Sequence, residues 1–436
     1  MTGRRLPLVL SGLTALRVGT SFLTYVLAAR RFGVGTEMDL FFLAATPLLA
    51  VVNLTEAAGV GAAINFYARL QPRAPEERDR AIAGLFVHLG GGILLCGIAF
   101  FLAAGPVASL LGGGLGPGPT IRLGHMLRLS ALGIALAPFG LVAGVGLLRA
   151  RSRFLTAAAL PFITSLIQVL ALITFASTAE RFLAAMVLGH AAAAVVGLAF
   201  SARELRPAWR AADPRAALAF LREILPLATA ELALQGVYIR ERQLAAFLPP
   251  GSLSALALGA RLVGVAGAIV STGIEHTAMP AIATAHFGGS APQARRRSRD
   301  AVFFAALLTT VAGVVLFLWP ELWVTLAFRR GAFDELAVLL TACAAAGYVG
   351  LFLFNALGRV AIAASFGRGL GWRIAAINGL LLLTYFLISA PLARAAGFGG
   401  LAIAASLSFT LGTLLAVATG LRPATPEPAP ATAQHS

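Results

Sequence analysis

The chain is divided into apolar stretches that are each about 20 residues long, the length that a helix needs to cross the hydrocarbon core of a bilayer. Hydrophobic residues make up 58% of its 436 residues, charged residues make up 12%, and the mean hydropathy is +0.86. These values are far too apolar for a soluble globular protein. The sequence therefore predicts an all-α polytopic membrane protein with about twelve transmembrane helices. The stretches begin near Leu6, Met38, Ala81, Ile121, Leu155, Phe182, Glu223, Leu253, Ala301, Asp334, Arg373 and Phe398.

The arginines indicate which side of the membrane each connection faces. All 34 basic residues are arginines, and the formal net charge is +16. If the N-terminus is cytoplasmic, most arginines fall in cytoplasmic connections, and the opposite side holds only Arg30, Arg31, Arg181, Arg329, Arg330 and Arg394. By the positive-inside rule both termini are then expected in the cytoplasm. This alternating distribution argues against nucleic acid as a partner, although the net charge alone would favour it.

The longest polar connection joins the sixth and seventh apolar stretches and divides the chain into two halves. We predict that it is a cytoplasmic amphipathic linker. The last residues are rich in Pro, Ala and Thr, a composition typical of a disordered tail. The predicted organisation is an N-terminal six-helix lobe at 1–201, the linker at 202–222, a C-terminal six-helix lobe at 223–421 and a cytoplasmic tail at 422–436.

A weak internal repeat relates the two lobes. Thr55-Glu56 on the second stretch corresponds to Ile274-Glu275 on the eighth, and Gly35-Thr36 corresponds to Gly251-Ser252. Because six spans separate the copies, both have the same orientation, and the repeat axis should run along the membrane normal. We expect two lobes related by a pseudo-two-fold axis, with a central cavity between them.

Ionisable residues lie inside several of the apolar helices. A charge at membrane depth costs at least a few kcal/mol, so such groups usually face a protein-lined cavity and mark the path of a substrate or an ion. At helical spacing, polar residues form a stripe on the first, second, seventh and eighth helices. This pattern favours a transporter. The stranded residues are Arg17, Glu56, Glu231, Arg240, Glu241, Arg242, Arg261 and Glu275.

The predicted depths of these residues favour an anionic substrate. Counted at about 1.5 Å per residue, the arginines lie toward the periplasmic side and the middle, and the carboxylates lie nearer the cytoplasm. Guanidinium groups bind a diphosphate bidentately. The predicted substrate-binding residues are Arg17, Asp39, Asn53, Glu56, Gln235, Arg240, Arg242 and Arg261. Glu231, Glu275 and His276 lie on the cytoplasmic side, and His276 is a candidate for a proton-sensitive gate.

Structural explanations remain open for some of these residues. Arg240, Glu241 and Arg242 could form an ion-pair cluster that only stabilises the fold. Gln168 is expected to be an interhelical hydrogen-bonding residue, and His190 a packing residue. Arg17 and Arg261 are harder to explain in this way, because neither has an acidic neighbour one turn along its own helix.

The sequence contains no catalytic constellation. A Gly-rich phosphate loop would need a lysine, and the chain has none. No cofactor or metal is therefore expected, and ATP bound to this chain cannot drive transport. Coupling to Na⁺, to H⁺ or to the membrane potential would supply the energy, the last being worth about 2.3 kcal/mol per charge per 100 mV.

Residues 30–44, Arg-Arg-Phe-Gly-Val-Gly-Thr-Glu-Met-Asp-Leu-Phe-Phe-Leu-Ala, resemble the signature between helices 1 and 2 of the MurJ/MviN lipid II flippases. These proteins form a family of the multidrug/oligosaccharidyl-lipid/polysaccharide (MOP) exporter superfamily. Two further stretches are similar to the same family: Phe247 to Ala283, with Gly251-Ser252, Arg261-Leu262 and Pro280, and Phe328-Arg329-Arg330-Gly331-Ala332-Phe333. The resemblance covers nearly the whole chain.

The resemblance implies roles for individual residues. Asp39 matches the functional acid of the family, and Arg261 matches its cavity arginine on the eighth helix. The family also has an arginine where this chain has Thr24, and a basic pair between the proline and the glutamate of helix 2, which is absent between Pro47 and Glu56. If ion coupling resembles that of relatives, Glu231, Gln235 and Asn378 could form a cation site.

The sequence as a whole predicts a divergent flippase of the bacterial inner membrane. It would move an undecaprenyl-diphosphate-linked glycan, either lipid II or another polysaccharide repeat unit, from the cytoplasmic to the periplasmic leaflet by alternating access. Arg17, Arg242 and Arg261 would bind the diphosphate, and Asp39 would form a periplasmic gate by pairing with one of them. We expect a monomer in contact with membrane lipids, with enzymes of cell-wall or polysaccharide synthesis as candidate partners.

Two other functions are the alternatives. The first is a drug or cation antiporter of the MOP type, for which an acid-rich, aromatic cavity would be expected. The second is a polytopic glycan polymerase or glycosyltransferase, which would need a large loop bearing catalytic acids. The sequence shows no such loop.

Overall fold

The computed structural model describes residues 5–70, 73–150, 153–205, 212–287, 290–366 and 370–421. These residues are helical and contain no strand. Eight helices among them are long and apolar enough to span a membrane, and a bent pair, Glu335–Gly347 with Val349–Ser365, makes a ninth. Two more helices, Arg5–Phe32 and Pro214–Ala245, have sufficient length but carry more charges.

The 51-residue stretch Gly371–Leu421 is two helices, because the backbone at Ala396 and Gly397 is not helical. The described part of the chain therefore has twelve membrane helices, which confirms the predicted fold class. Helices α1 to α12 run Arg5–Phe32, 36–70, Pro75–Leu102, Pro117–Arg149, Phe154–Phe175, Ala179–Leu205, Pro214–Ala245, Ser252–Phe287, Ala291–Leu318, 335–366, 371–395 and 398–421. Two shorter helices, Ala104–Gly112 and Pro320–Phe328, follow α3 and α9.

The helices pack as two sets of six. In the first set α1 packs against α5, and α4 packs against α2, α3 and α6. In the second set α7 packs against α11 and α12 together, and α8 packs against α9 and α10. The two sets touch each other where α2 meets α7 and α8, and where the start of α7 meets α3. This is the two-lobe arrangement that the internal repeat predicts.

Two helices, α3 and α9, face outward. Leu95 and Leu102 on α3, and Phe303 and Phe304 on α9, are large apolar side chains that are more than half exposed. Exposed apolar surface of this extent is costly in water and is the surface that lipid covers. The outer faces of both lobes are thus suited to the hydrocarbon core.

The connection between the lobes is shorter than predicted, because helices cover both of its ends. Helix α6 continues to Leu205, and α7 begins at Pro214. The carboxylate of Asp213 accepts the backbone N–H of Arg215 at 2.9 Å, and proline is favoured at the first helical position. Residues 206–211 of the predicted linker and the predicted tail at 422–436 lie outside the described residues.

Four π-helical segments interrupt the membrane helices of the described residues. A π turn contains an additional residue, so the side chains beyond it point in directions that a continuous α-helix would not give them. Such segments occur often at functional sites. They are Thr55–Gly59 in α2, Leu85–Leu89 in α3, Phe139–Gly146 in α4 and Phe354–Gly358 in α10.

Candidate substrate cavity

A cavity of about 590 Å³ lies between the two lobes. Its wall is formed by α1, α2, α4, α5, α7, α8 and α10, and includes residues of three of the π-helical segments. Arginines outnumber carboxylates on this wall, so the cavity is net cationic. Its charged residues are Arg17, Glu56, Arg149, Glu231, Glu241, Arg242, Arg261 and Arg359.

Arg17 and Glu56 form an ion pair across the first lobe. An Arg17 guanidinium nitrogen lies 2.8 Å from a Glu56 carboxylate oxygen, and about a third of each side chain is exposed. The pair joins α1 to the π-helical segment of α2. Both residues were predicted to face the cavity, and the structure brings them together there. Each partially neutralises the charge of the other.

Arg242 and Arg261 bond to hydroxyl groups rather than to carboxylates. Arg261 donates to the Ser21 hydroxyl at 2.6 Å, and its guanidinium lies 4.6 Å from the centroid of the Tyr25 ring. Arg242 donates to the hydroxyl of Thr46. Both arginines belong to the second lobe and reach residues of the first. A hydroxyl does not neutralise a guanidinium, but the charge of Arg242 also interacts with the neighbouring Glu241 carboxylate.

Arg149 and Arg359 are cavity residues that the sequence did not identify. Both follow a π-helical segment, Phe139–Gly146 and Phe354–Gly358 respectively. Sequence reasoning placed them in cytoplasmic connections, because each lies at the end of an apolar stretch. The structure places both side chains on the wall of the central cavity. The only signal in the sequence was an arginine within one or two turns of the predicted end of a span.

A polar chain crosses the cavity between the lobes. The side-chain amide of Asn53 on α2 donates to Gln235 on α7 at 3.5 Å, and Gln235 donates to the Glu231 carboxylate at 2.5 Å. All three residues line the cavity, as predicted. Their amide and carboxylate groups give this part of the wall both donors and acceptors.

Arg240 lies outside the cavity wall, which differs from the prediction. Its guanidinium donates to Gln243 at 2.8 Å and lies 5.2 Å from the centroid of the Phe386 ring. Two residues along a helix correspond to a rotation of about 200°, so Arg240 and Arg242 point to opposite faces of α7. The cavity-facing side of α7 could not hold both predicted substrate-binding arginines.

Asp39 caps the first turn of α8 instead of pairing with an arginine. Its carboxylate accepts the N–H of Gly251 at 2.6 Å, the N–H of Ser254 at 2.7 Å, and the Ser254 hydroxyl. The first N–H groups of a helix have no partner within it, and their partial positive charge favours a carboxylate. Asp39 is 4% exposed and belongs to the first lobe, so this cap holds the two lobes together.

The three stretches that resemble the MurJ/MviN family meet at this same end of the molecule. The N–H of Ala332 donates to the carbonyl of Arg30 at 2.8 Å. Gly33 and Gly331 have φ near +65°, and a Cβ at Gly33 would lie 2.5 Å from the Ala332 carbonyl oxygen. Glycine is required where left-handed backbone meets so close a neighbour. We call this contact, made by residues 30–39, 251–254 and 330–333, the motif end.

Other contacts join the lobes at the opposite end. Arg69, at the end of α2, forms an ion pair with Glu223 near the start of α7.

Asn378, the remaining residue of the predicted cation site, is 2% exposed and donates to the Ala230 carbonyl at 3.0 Å. It therefore packs α11 against α7 and does not line the central cavity.

The rest of the predicted cation or proton site is not described. The side chains of Glu275 and His276 lie outside the described residues, so their predicted role stays a prediction. Among the residues that the structure does describe, no group of three or more His, Cys, Asp or Glu could hold a metal ion.

Solved structures with the same arrangement are membrane transporters. A lipid II flippase MurJ in an inward closed conformation superposes with a TM-score of 0.78 at 16% identity, over 94% of this chain and 86% of that one. An inward-facing multidrug resistance MATE transporter gives 0.74 at 16% identity, over 93% of each chain. A MOP transporter from Pyrococcus furiosus gives 0.64 at 16% identity, over 94% and 93%. The twelve helices thus have the fold of the MOP superfamily.

The family of this protein is identified by a match of its sequence to a family model. The family model described as "Lipid II flippase MurJ" matches residues 28–426, nearly the whole chain. This protein belongs to the lipid II flippase MurJ family. No curated protein matches the sequence significantly.

Proposed function

We propose that this protein moves a lipid-linked diphospho-oligosaccharide from the cytoplasmic to the periplasmic leaflet. Lipid II is the first candidate, and another undecaprenyl-diphosphate-linked repeat unit is the second. One observation carries the proposal: arginines of both lobes converge on a single cavity between them. The headgroup would bind in this cavity while the prenyl tail remains in the lipid.

The charge of the wall supports an anionic substrate. The hydroxyl partner of Arg261 leaves its charge uncompensated, whereas the charge of Arg242 also interacts with the neighbouring Glu241. Buried charges of one sign are unfavourable unless a counter-charge is present. A diphosphate supplies two or more negative charges and accepts bidentate hydrogen bonds from guanidinium groups.

The motif end supplies a gate for alternating access. For the cavity to open there, the Asp39 carboxylate must leave the first turn of α8, and Ala332 must separate from Arg30. By the positive-inside rule this end faces the periplasm and both termini are cytoplasmic. A Na⁺ or H⁺ gradient, or the membrane potential, would drive the cycle of a monomer, with enzymes of cell-wall or polysaccharide synthesis as partners.

The carboxylates on the wall support a second candidate. A cationic drug would be attracted to Glu56, Glu231 and Glu241, as in an antiporter. Glu56 is already paired with Arg17, however, and a cation would also meet the uncompensated charge of Arg261. The cavity therefore favours the anionic substrate.

Complementation tests the proposal. In a bacterial strain depleted of its lipid II flippase, the wild-type chain should restore growth, and Arg261→Ala should not, although both reach the membrane in equal amounts. Arg296→Ala, which removes an exposed arginine paired with Asp300, is the matched control and should restore growth. Failure of the inserted wild-type chain would contradict lipid II as the cargo.

A further inference from the structure

A second, smaller cavity adjoins the central one inside the first lobe. Its volume is about 150 Å³, which is roughly ten times the space that one water molecule needs. Arg17, Glu56 and Arg261 line both cavities. We call the smaller cavity the side pocket. A ligand bound at Arg261 could thus extend into either space.

Beyond its shared residues, the wall of the side pocket combines apolar side chains with polar ones and includes His190. Helix α5 contributes Thr164, Ser165 and Gln168, and α1 contributes Thr24. The side chains of all four are at least nine-tenths buried. Polar groups buried within membrane helices are unfavourable unless they find hydrogen-bond partners, and they usually mark a functional path.

Hydrogen bonds made by these four side chains leave acceptors that face the pocket. The hydroxyls of Thr24, Thr164 and Ser165 donate to carbonyls of their own helices, at 3.1 to 3.2 Å. Each hydroxyl oxygen can still accept. The Gln168 amide nitrogen lies 3.4 Å from the Met186 carbonyl, which leaves the amide oxygen as an acceptor. A neutral ligand with several hydrogen-bond donors would be complementary to these four side chains.

We propose that the side pocket is a carbohydrate subsite that receives a sugar of the lipid-linked headgroup. Sugar hydroxyls are neutral donors, and the volume of about 150 Å³ gives room for a polar group larger than a few water molecules. The acceptors on α1 and α5 disfavour a phosphate next to them, and Glu56 compensates Arg17 at the entrance. The subsite rests on the proposed function, because Arg261 would hold the diphosphate next to the entrance.

Two lipids that share the undecaprenyl diphosphate group, of which only lipid II also carries a glycan with its peptide, test the subsite. We would measure the dissociation constants of the purified full chain for undecaprenyl diphosphate and for lipid II. The double variant Thr164→Val, Gln168→Leu should bind lipid II roughly tenfold more weakly, the effect of about 1.4 kcal/mol. Its affinity for undecaprenyl diphosphate should stay the same. The isosteric single variant Thr164→Val should show the same selectivity with a smaller effect.

A threonine elsewhere on α5 provides the matched control. Thr174 donates to the Leu170 carbonyl at 2.9 Å in the same way as Thr164, but it does not line the pocket. Thr174→Val should change neither dissociation constant. Melting temperatures of all variants would show whether they fold. If the double variant does not fold, Thr164→Val alone still tests the subsite.

Each result of these binding measurements either supports the carbohydrate subsite or contradicts it. Equal weakening of both lipids by Thr164→Val, or no weakening of either, would overturn the subsite. A changed dependence on Na⁺ with unaltered lipid II affinity would also overturn it and assign the pocket to a hydrated cation. The proposed function fails separately, if the wild-type chain binds neither lipid or if Arg261→Ala binds both as well as the wild type does.

Discussion

Arg240 and Arg242 occupy the same helix two residues apart, and only Arg242 faces the cavity. We predict that Arg242→Ala lowers the rate of lipid flipping by roughly tenfold to a hundredfold, because a charge-assisted hydrogen bond is worth about 1.5–3 kcal/mol. Arg240→Ala should leave the rate nearly unchanged. The rates would be measured in proteoliposomes with equal amounts of folded protein. Equal losses in both variants would contradict the assignment of these faces.

Breaking the Arg17–Glu56 pair should strengthen lipid binding, whereas the preceding variant should weaken transport. In Glu56→Gln the carboxylate no longer neutralises Arg17, so affinity for undecaprenyl diphosphate should rise severalfold. The measurement is a binding titration of the purified protein. Glu335→Gln, which breaks an exposed pair with Arg329, should leave the affinity as it is. A weaker affinity in Glu56→Gln would show that Glu56 itself binds the headgroup.

At the level of residues, helical spacing predicted part of the site. It identified Arg17, Glu56, Arg242 and Arg261, which lie on the cavity wall. It missed Arg149 and Arg359, since a spacing of 3.6 residues does not anticipate the preceding π segments. Helical spacing also shows which face of a helix a residue lies on, but it does not identify the residues that its side chain contacts. The cap that Asp39 forms on α8 therefore could not be predicted.

At the level of elements, the N-terminus of α8 is the part of the gate most open to testing. Asp39→Ala removes its cap, at a cost of about 1–2 kcal/mol, and should shift the lobes toward an open motif end. A cysteine placed at Val34 should then react faster with a water-soluble maleimide. The native Cys96 and Cys343 are exposed and would first be replaced by serine.

Asp213 offers a matched control for this variant. It caps the start of α7 by accepting the N–H of Arg215, in a different part of the molecule from Val34. Asp213→Ala should therefore leave the labelling rate at Val34 unchanged. If both variants accelerated labelling equally, the effect would reflect general loosening of the fold, and the gate assignment would be wrong.

The helices themselves were largely predictable because their apolar runs are long. The predicted starts near Arg373 and Phe398 match two helices that are separated only by a break at Ala396 and Gly397. The bend of 60° in α10, between Gly347 and Val349, had no counterpart in the apolar pattern. Bends and π turns arise from packing between helices, which a single sequence does not display.

At the level of the whole molecule, the orientation in the membrane is a prediction of the arginine distribution. Alkaline phosphatase fused after Ser177, in the connection between α5 and α6, should be active because this connection is expected in the periplasm. The same enzyme fused after Ser436 should be inactive. Activities would be normalised to the abundance of each fusion. The reverse pattern would place the motif end in the cytoplasm.

The two-lobe fold could be predicted from the sequence, since equal numbers of spans and a weak repeat already implied it. Contacts between the lobes required the structure. Three short stretches that are far apart in the chain, at Gly33, Gly251 and Gly331, come together only at the motif end. These are the same stretches that resemble the MurJ/MviN family.

Transfer of labelled lipid II across the membrane of proteoliposomes that contain only this protein tests the central claim most directly. The wild-type chain should move lipid II from one leaflet to the other, and Arg261→Ala, inserted in equal amount, should do so at a small fraction of that rate. Absence of transfer by the correctly inserted wild-type chain, or undiminished transfer by Arg261→Ala, would contradict the account.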